Sequence, residues 1–201
     1  MRQNRSDAKR LSAKDLITMG IFTAILAVIT FVVALLSFFP VFIPLLTILI
    51  PLVEGIPFIL FLTKVKKFGM VTVIGALAGI INGFLGMGYY VMLTGVLFGF
   101  LADLVLKSGN YTSKVRNVLG YGVYCMWLIG NYIPIVIARD SYCQNLIDKG
   151  MGQEYANALS MYIPDWSLPV LLAASFVFGI LGGLIGIALN RRHFERAGMT
   201  G

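Results

Sequence analysis

The stretch ILIPLVEGIPFILFLTKVKK, residues 48–67, decides what kind of protein this is. It starts deep in apolar sequence and ends in the lysines Lys64, Lys66 and Lys67. Between Pro51 and Pro57 it carries a single carboxylate, Glu54. A run of this length and polarity fits a helix crossing a bilayer, which takes about 20 apolar residues. A glutamate inside such a run is costly and needs a reason.

The rest of the chain agrees with a lipid solvent. Of its 201 residues, 58% are hydrophobic and 12% charged, against about 25% charged in a soluble domain. That leaves too little polar surface to coat a water-soluble globule. The net charge of +7 does not point to nucleic acid, because the basic residues flank apolar runs instead of clustering on one polar face. Cys125 and Cys143 have no C-x-x-C neighbour, so neither a zinc nor a redox motif is present, and a disulfide between them is disfavoured by the membrane setting of Cys125. The opening MRQNRSDAKRLSAKD is polar and basic, and the apolar run after it is too long for a signal peptide and lacks a small-residue cleavage site. It is expected to remain as a cytoplasmic tail.

Six spans are predicted, at about 15–37, 41–63, 69–88, 90–107, 116–138 and 167–190, giving an all-α transmembrane domain over 15–190 between basic tails at 1–14 and 191–201. GMGYY, residues 86–90, joins the third and fourth spans in a tight hairpin. Residues 139–166 form the only long loop, in which Tyr155, Leu159 and Tyr162 recur at the spacing of a short amphipathic helix. With both termini on one side, that side holds Arg2, Arg5, Lys9, Arg10 and Lys14, then Lys64, Lys66 and Lys67, then Lys107, Lys114 and Arg116, and finally Arg191, Arg192 and Arg196. Of 16 basic residues only Arg139 and Lys149 fall on the other. The positive-inside rule makes the first side cytoplasmic and puts the long loop outside. Gly75, Gly79 and Gly83, then Gly95 and Gly99, then Gly179, Gly183 and Gly186 present small faces for close helix packing.

Polar groups inside a bilayer are costly, and the candidates for function among them are Glu54, Asn82, Asp103 and Asn131. Asp103 stands four residues before Lys107, the spacing of an interfacial ion pair. Glu54 has no basic residue within helical reach and serves either as a ligand or coupling group or as a hydrogen-bonded brace. Tyr124, Trp127 and Asn131 recur at i, i+3, i+7, which would give one helix face two aromatic platforms and an amide. Asn82, Tyr89, Tyr90 and Trp166 fall near the same outer level. These eight residues, Glu54 included, are the candidate substrate site, with an aromatic belt at the headgroups as the plainer reading of the aromatic ones. Catalysis and metal or cofactor binding find no support: His193 is the only histidine and no Ser–His or Cys–His pair can form in the membrane. There is no P-loop, so ATP is not used by that route, and no internal repeat of the secondary-transporter kind is visible.

Six spans, both ends inside, few intramembrane charges and a long outer loop before the last span resemble the substrate-binding S component of an energy-coupling factor (ECF) transporter. The opening LSAKDLITMGIFTAILAVITF (residues 11–31) and VEGIPFILF (53–61) are most similar to the Trep_Strep family of bacterial membrane proteins. The resemblance implies a non-enzymatic subunit that binds a vitamin-like micronutrient near the outer surface and is driven by a transmembrane coupling protein and two ATPases. It assigns docking on the coupling protein to the small residues of the first span, Gly20, Thr23, Ala24 and Ala27, and makes the long loop and the Tyr89–Tyr90 turn lids. It places Glu54 at or beneath the cavity floor, as a substrate acceptor or as a brace for a broken second helix. The absence of N-terminal histidines argues against nickel or cobalt as substrate. A stand-alone secondary transporter or channel, a membrane enzyme and a ligand-free assembly protein are the competing classes.

Overall fold

The computed structural model describes residues 12–194, with side chains through Arg191. The expected tail residues Arg2, Arg5, Lys9, Arg10, Arg192, His193 and Arg196 lie outside these described side chains. Six helical spans are long and apolar enough to cross a membrane, each matching one predicted from the sequence, and no strand occurs among the described residues.

Helix α1 (Ala13–Ala34) continues as a 3-10 turn through Phe38. Its start is a capping box: Ser12 accepts from the Asp15 amide, and the Asp15 carboxylate accepts from the Ser12 amide at 2.8 Å. Helix α2 (Phe42–Lys64) is one continuous helix through Pro51 and Pro57. The expected break is therefore absent. Neighbouring helices brace its backbone instead: Tyr121 donates to the Pro51 carbonyl at 2.7 Å, Tyr132 to that of Ile43 at 2.8 Å, and Asn190 to that of Ile56 at 3.3 Å.

Helix α3 (Met70–Asn82) ends not in the expected tight hairpin but in a wide turn, Gly83–Met87, with positive φ at Gly86 inside it and at Gly88 just after it, and α4 (Tyr89–Ser108) follows. Asp103 does not pair with Lys107. Its buried carboxylate turns inward, accepts from the Thr72 amide (2.7 Å) and hydroxyl (2.6 Å), and so caps the start of α3, while Lys107 lies over the Phe68 ring. The fifth span begins as α5 (Lys114–Cys125), tightens to 3-10 geometry over Met126–Asn131, and closes with the short α6 (Ile133–Ile137) behind Pro134. The long loop is two helices, α7 (Arg139–Asp148) and α8 (Gln153–Tyr162), before the last span α9 (Ser167–Phe194). Arg139 holds them together, bonded to the Ile163 carbonyl and the Asp165 carboxylate, both at 2.7 Å.

Glycine sets the helix spacing. Gly75 lies on Gly95 of the facing helix, and a methyl on Gly79 would stand 2.7 Å from the Val91 carbonyl. The α9 glycines divide: Gly179 and Gly183 meet α5, whereas Gly186 and Gly182 meet Pro51 and Gly55 of α2. They do not share one face, because α9 is wedged between two partners. In lipid, packing of this kind replaces the hydrophobic drive for association.

A Cβ on Gly55 has nowhere to go, since the Gly182 backbone occupies that space. Gly55→Ala is expected to lower the melting temperature in detergent, at a cost of about 1–3 kcal/mol. Gly20→Ala, inside α1 with nothing within 4 Å of the new methyl, is expected to keep or slightly raise it, since alanine favours the helix by about 0.5–1 kcal/mol over glycine.

Candidate functional site

A cavity of about 280 Å³ lies at the end of the bundle that carries α7 and α8, opposite the lysine-rich turns. The end of α1, the start of α2, the end of α3 and the 3-10 segment of the fifth span wall it, and α7 and α8 roof it. Most of the lining is aliphatic, including Ile43, Leu46, Ile50, Leu128, Ile135 and Leu159. The polar lining consists of Thr30, Ser37, Asn82, Asn131, Tyr132, Tyr142, Lys149 and Tyr155.

Of the candidate residues, Asn131 and Asn82 line this one cavity together. Each amide nitrogen donates back to its own segment, Asn131 to the Leu128 carbonyl at 3.2 Å and Asn82 to the Ala78 carbonyl at 2.9 Å. That fixes their orientation, since the reverse would set oxygen against oxygen. The Asn131 carbonyl oxygen is buried and has no partner among the described residues. Gly130 lets this segment lie directly on α4: a methyl there would stand 2.6 Å from the Val91 Cα.

Tyr124 and Trp127 do not share the Asn131 face. Both are 1% exposed and belong to the interior, where Tyr124 stacks on Tyr121 and lies tilted against Phe58, and Trp127 lies tilted against Tyr124. The reason is the change of helix type at Met126. In an α-helix four residues advance a side chain by about 40° net, but at three residues per turn they advance it by about 120°. The i, i+4 relation between Trp127 and Asn131 is lost at that point. Tyr89 and Trp166 are exposed, at 61% and 69%, and neither they nor the half-buried Tyr90 line the cavity. The Tyr89 and Tyr90 rings stack on one another at 4.2 Å.

Glu54 is one layer behind the cavity wall. Its carboxylate accepts from the hydroxyl of Thr30, and Thr30 lines the space. The glutamate thereby ties α2 to α1 beneath the floor. On the first span, Gly20 and Ala24 are exposed and Ala27 half-buried, but Thr23 turns inward and is 5% exposed. The expected small outward face thus excludes Thr23, which lies on the Met19, Phe22 and Leu26 side of α1.

The α7 residues of the roof escaped the sequence reading, although a signal for them exists. Tyr142, Leu146 and Lys149 recur at i, i+4, i+7 and all line the cavity. Tyr155 donates to the Ser37 carbonyl at 2.6 Å and latches α8 to the end of α1. Burial pushes the Tyr142 and Tyr155 hydroxyls above the ordinary phenol range, so both stay neutral at physiological pH. Cys143 and Cys125 are free thiols.

A family profile described as hypothetical bacterial integral membrane protein (Trep_Strep) matches residues 13–196, nearly the whole chain. The chain belongs to the Trep_Strep family. No curated protein and no solved structure is similar enough to this Trep_Strep chain to count as a match. It is accordingly an integral membrane protein of a bacterial family, with six candidate spans around a cavity at one end.

The Glu54–Thr30 bond has a direct test. Glu54→Gln keeps an acceptor oxygen and is expected to fold and melt close to the parent protein. Glu54→Ala leaves the Thr30 hydroxyl unpaired and is expected to lose about 1–3 kcal/mol in thermal unfolding. Equal losses in the two variants would show that the carboxylate does more than accept this bond.

Proposed function

We propose that this Trep_Strep protein is the substrate-binding subunit of an ECF-type importer, capturing a vitamin-like or other small organic micronutrient and delivering it inward. The observation that carries the reading is the cavity itself. It is walled by four spans and roofed by two short helices, and it sits at the end poor in basic residues. By the positive-inside rule that end faces outward in the plasma membrane, with both termini cytoplasmic. An apolar pocket with a few convergent polar groups is the usual form of a small-molecule site. A roof made of short helices is suited to open and close over a solute.

The chain has no nucleotide-binding loop, so energy would come from partners: a transmembrane coupling protein and two ATPase subunits. The outward surface of α1 around Gly20 and Ala24 supports a place for the coupling protein. It is unencumbered by side chains at Gly20 and flanked by the exposed Leu16, Ile17, Ile21 and Val28. The protein acts as a carrier in this reading, not as an enzyme. A proton-coupled transporter is the second reading, and the buried Glu54 next to the cavity wall favours it.

Thermal-shift screening of the purified protein against vitamins, nucleobases, their precursors and amino acids tests the proposal. A ligand that binds only the folded state raises stability by about 2.7 kcal/mol at 100 times its dissociation constant. The expected result is a hit that weakens in Asn131→Ala, together with pull-down of an ECF coupling protein that fails in Ala24→Leu. Uptake that needs no ATPase module and vanishes in Glu54→Gln would favour the second reading and overturn the first.

A further inference from the structure

Three polar groups in the cavity have no partner among the described residues. The Asn131 carbonyl oxygen is buried and unpaired. Tyr142, on the inner face of α7, has a hydroxyl with no hydrogen-bond partner among the described residues. Lys149, at the end of the same face, makes no ion pair among them either. Its ammonium reaches across to the α3–α4 turn, where a methyl on Gly86 would stand 4.0 Å from Nζ. Arg139, the other basic residue of this end, is already held by Asp165.

The arrangement has a polarity. A buried carbonyl oxygen calls for a donor, because leaving it unpaired is costly. An ammonium and a phenol two turns apart on one helix, both lining the same cavity and both without a partner among the described residues, offer donors to an anion, and charge-assisted bonds are about twice as strong as neutral ones. Among the described residues no aspartate or glutamate lines the cavity, so a cationic solute would meet like charge with nothing there to offset it. Between the two polar ends the wall is aliphatic, through Leu128, Ile135, Leu146 and Leu159.

Resting on the binding-subunit reading, we infer that the site takes an organic acid: a carboxylate or phosphate at Lys149 and Tyr142, an apolar body on the aliphatic wall, and an N–H or O–H group against the Asn131 oxygen. The same chemistry belongs to a soluble solute and to an anionic lipid. A second space of about 220 Å³ between α1 and α3 adjoins the cavity at Thr30, Ser37, Asn82 and Met87, and reaches the exposed Phe31 and Leu35. A hydrocarbon chain has a way in from the side.

Matched compounds test the inference on the full chain. The probes are indole-3-acetate, indole-3-acetamide and tryptamine, with the corresponding acid, amide and amine of further aromatic and aliphatic skeletons. Binding is read from the ligand dependence of the melting temperature in neutral detergent. A parallel arm compares nanodiscs of phosphatidylcholine alone with nanodiscs that also contain phosphatidylglycerol. Lys149 is exposed, so Lys149→Gln is expected to fold normally. The expected result is that acids bind best, that Lys149→Gln weakens them about tenfold, and that amides are unaffected by the substitution. Lys149-dependent stabilisation by phosphatidylglycerol instead of the soluble acids upholds the anion site and makes a lipid its source. Amides or amines that bind as well as acids, or acids indifferent to Lys149→Gln, overturn the inference and leave the binding-subunit reading standing. Silence from every compound and both lipids overturns the two together.

Discussion

Helix α2 meets α9 backbone to backbone at Gly55, Gly182 and Gly186, and the rest of the bundle is arranged around that contact. The constraint behind it is the solvent. Hydrocarbon attracts a leucine as well as another helix does, so association in a bilayer depends on close fit and on interhelical hydrogen bonds. Both devices converge on α2. The glycines bring α9 against it, and Tyr121, Tyr132 and Asn190 bond to its carbonyls from outside. With two prolines in the helix, the backbone amides missing at those positions leave its hydrogen-bond ladder incomplete, and outside support keeps it continuous.

The same economy shapes the cavity. Aromatic residues of the fifth span lie in the interior, where Tyr121 and Tyr124 pack on Phe58 and Trp127 on Tyr124. At Met126 the span tightens to 3-10 geometry, turns its next side chains through a different angle, and hands Asn131 and Tyr132 to the cavity. A single change of helix type thus separates the packed half of the molecule from the half with room in it. Glu54 stands at that border. It costs free energy to bury, and the bond from Thr30 joins α1 to α2 under the floor.

The roof is built differently from the spans. Helices α7 and α8 are short and contain ordinary polar residues, and their hold on the bundle is a small second core around Ile43, Leu159, Ile163 and Leu171. Two polar clasps supplement it, Tyr155 on Ser37 and Arg139 on Ile163 and Asp165. A cover with so few attachments opens more readily than the spans beneath it separate.

The sequence by itself determined the six spans, the short glycine-bearing connection between the third and fourth, and the short helix at Tyr155–Tyr162, because hydropathy over about 20 residues and helical periodicity are local properties. It also singled out Asn82 and Asn131, since an amide inside an apolar run stands out wherever it points. It misassigned Asp103, Tyr124, Trp127 and Thr23. Each of those depends on which way a helix face turns, and rotation about a helix axis is set by the neighbours. Asp103 found the open amide of α3, thirty-one residues away in sequence, in preference to Lys107 on its own helix. Only the tertiary structure decided that Lys149 and Tyr142 overhang the cavity, because α7 has no apolar run to mark it and takes its place from contacts made at a distance along the chain.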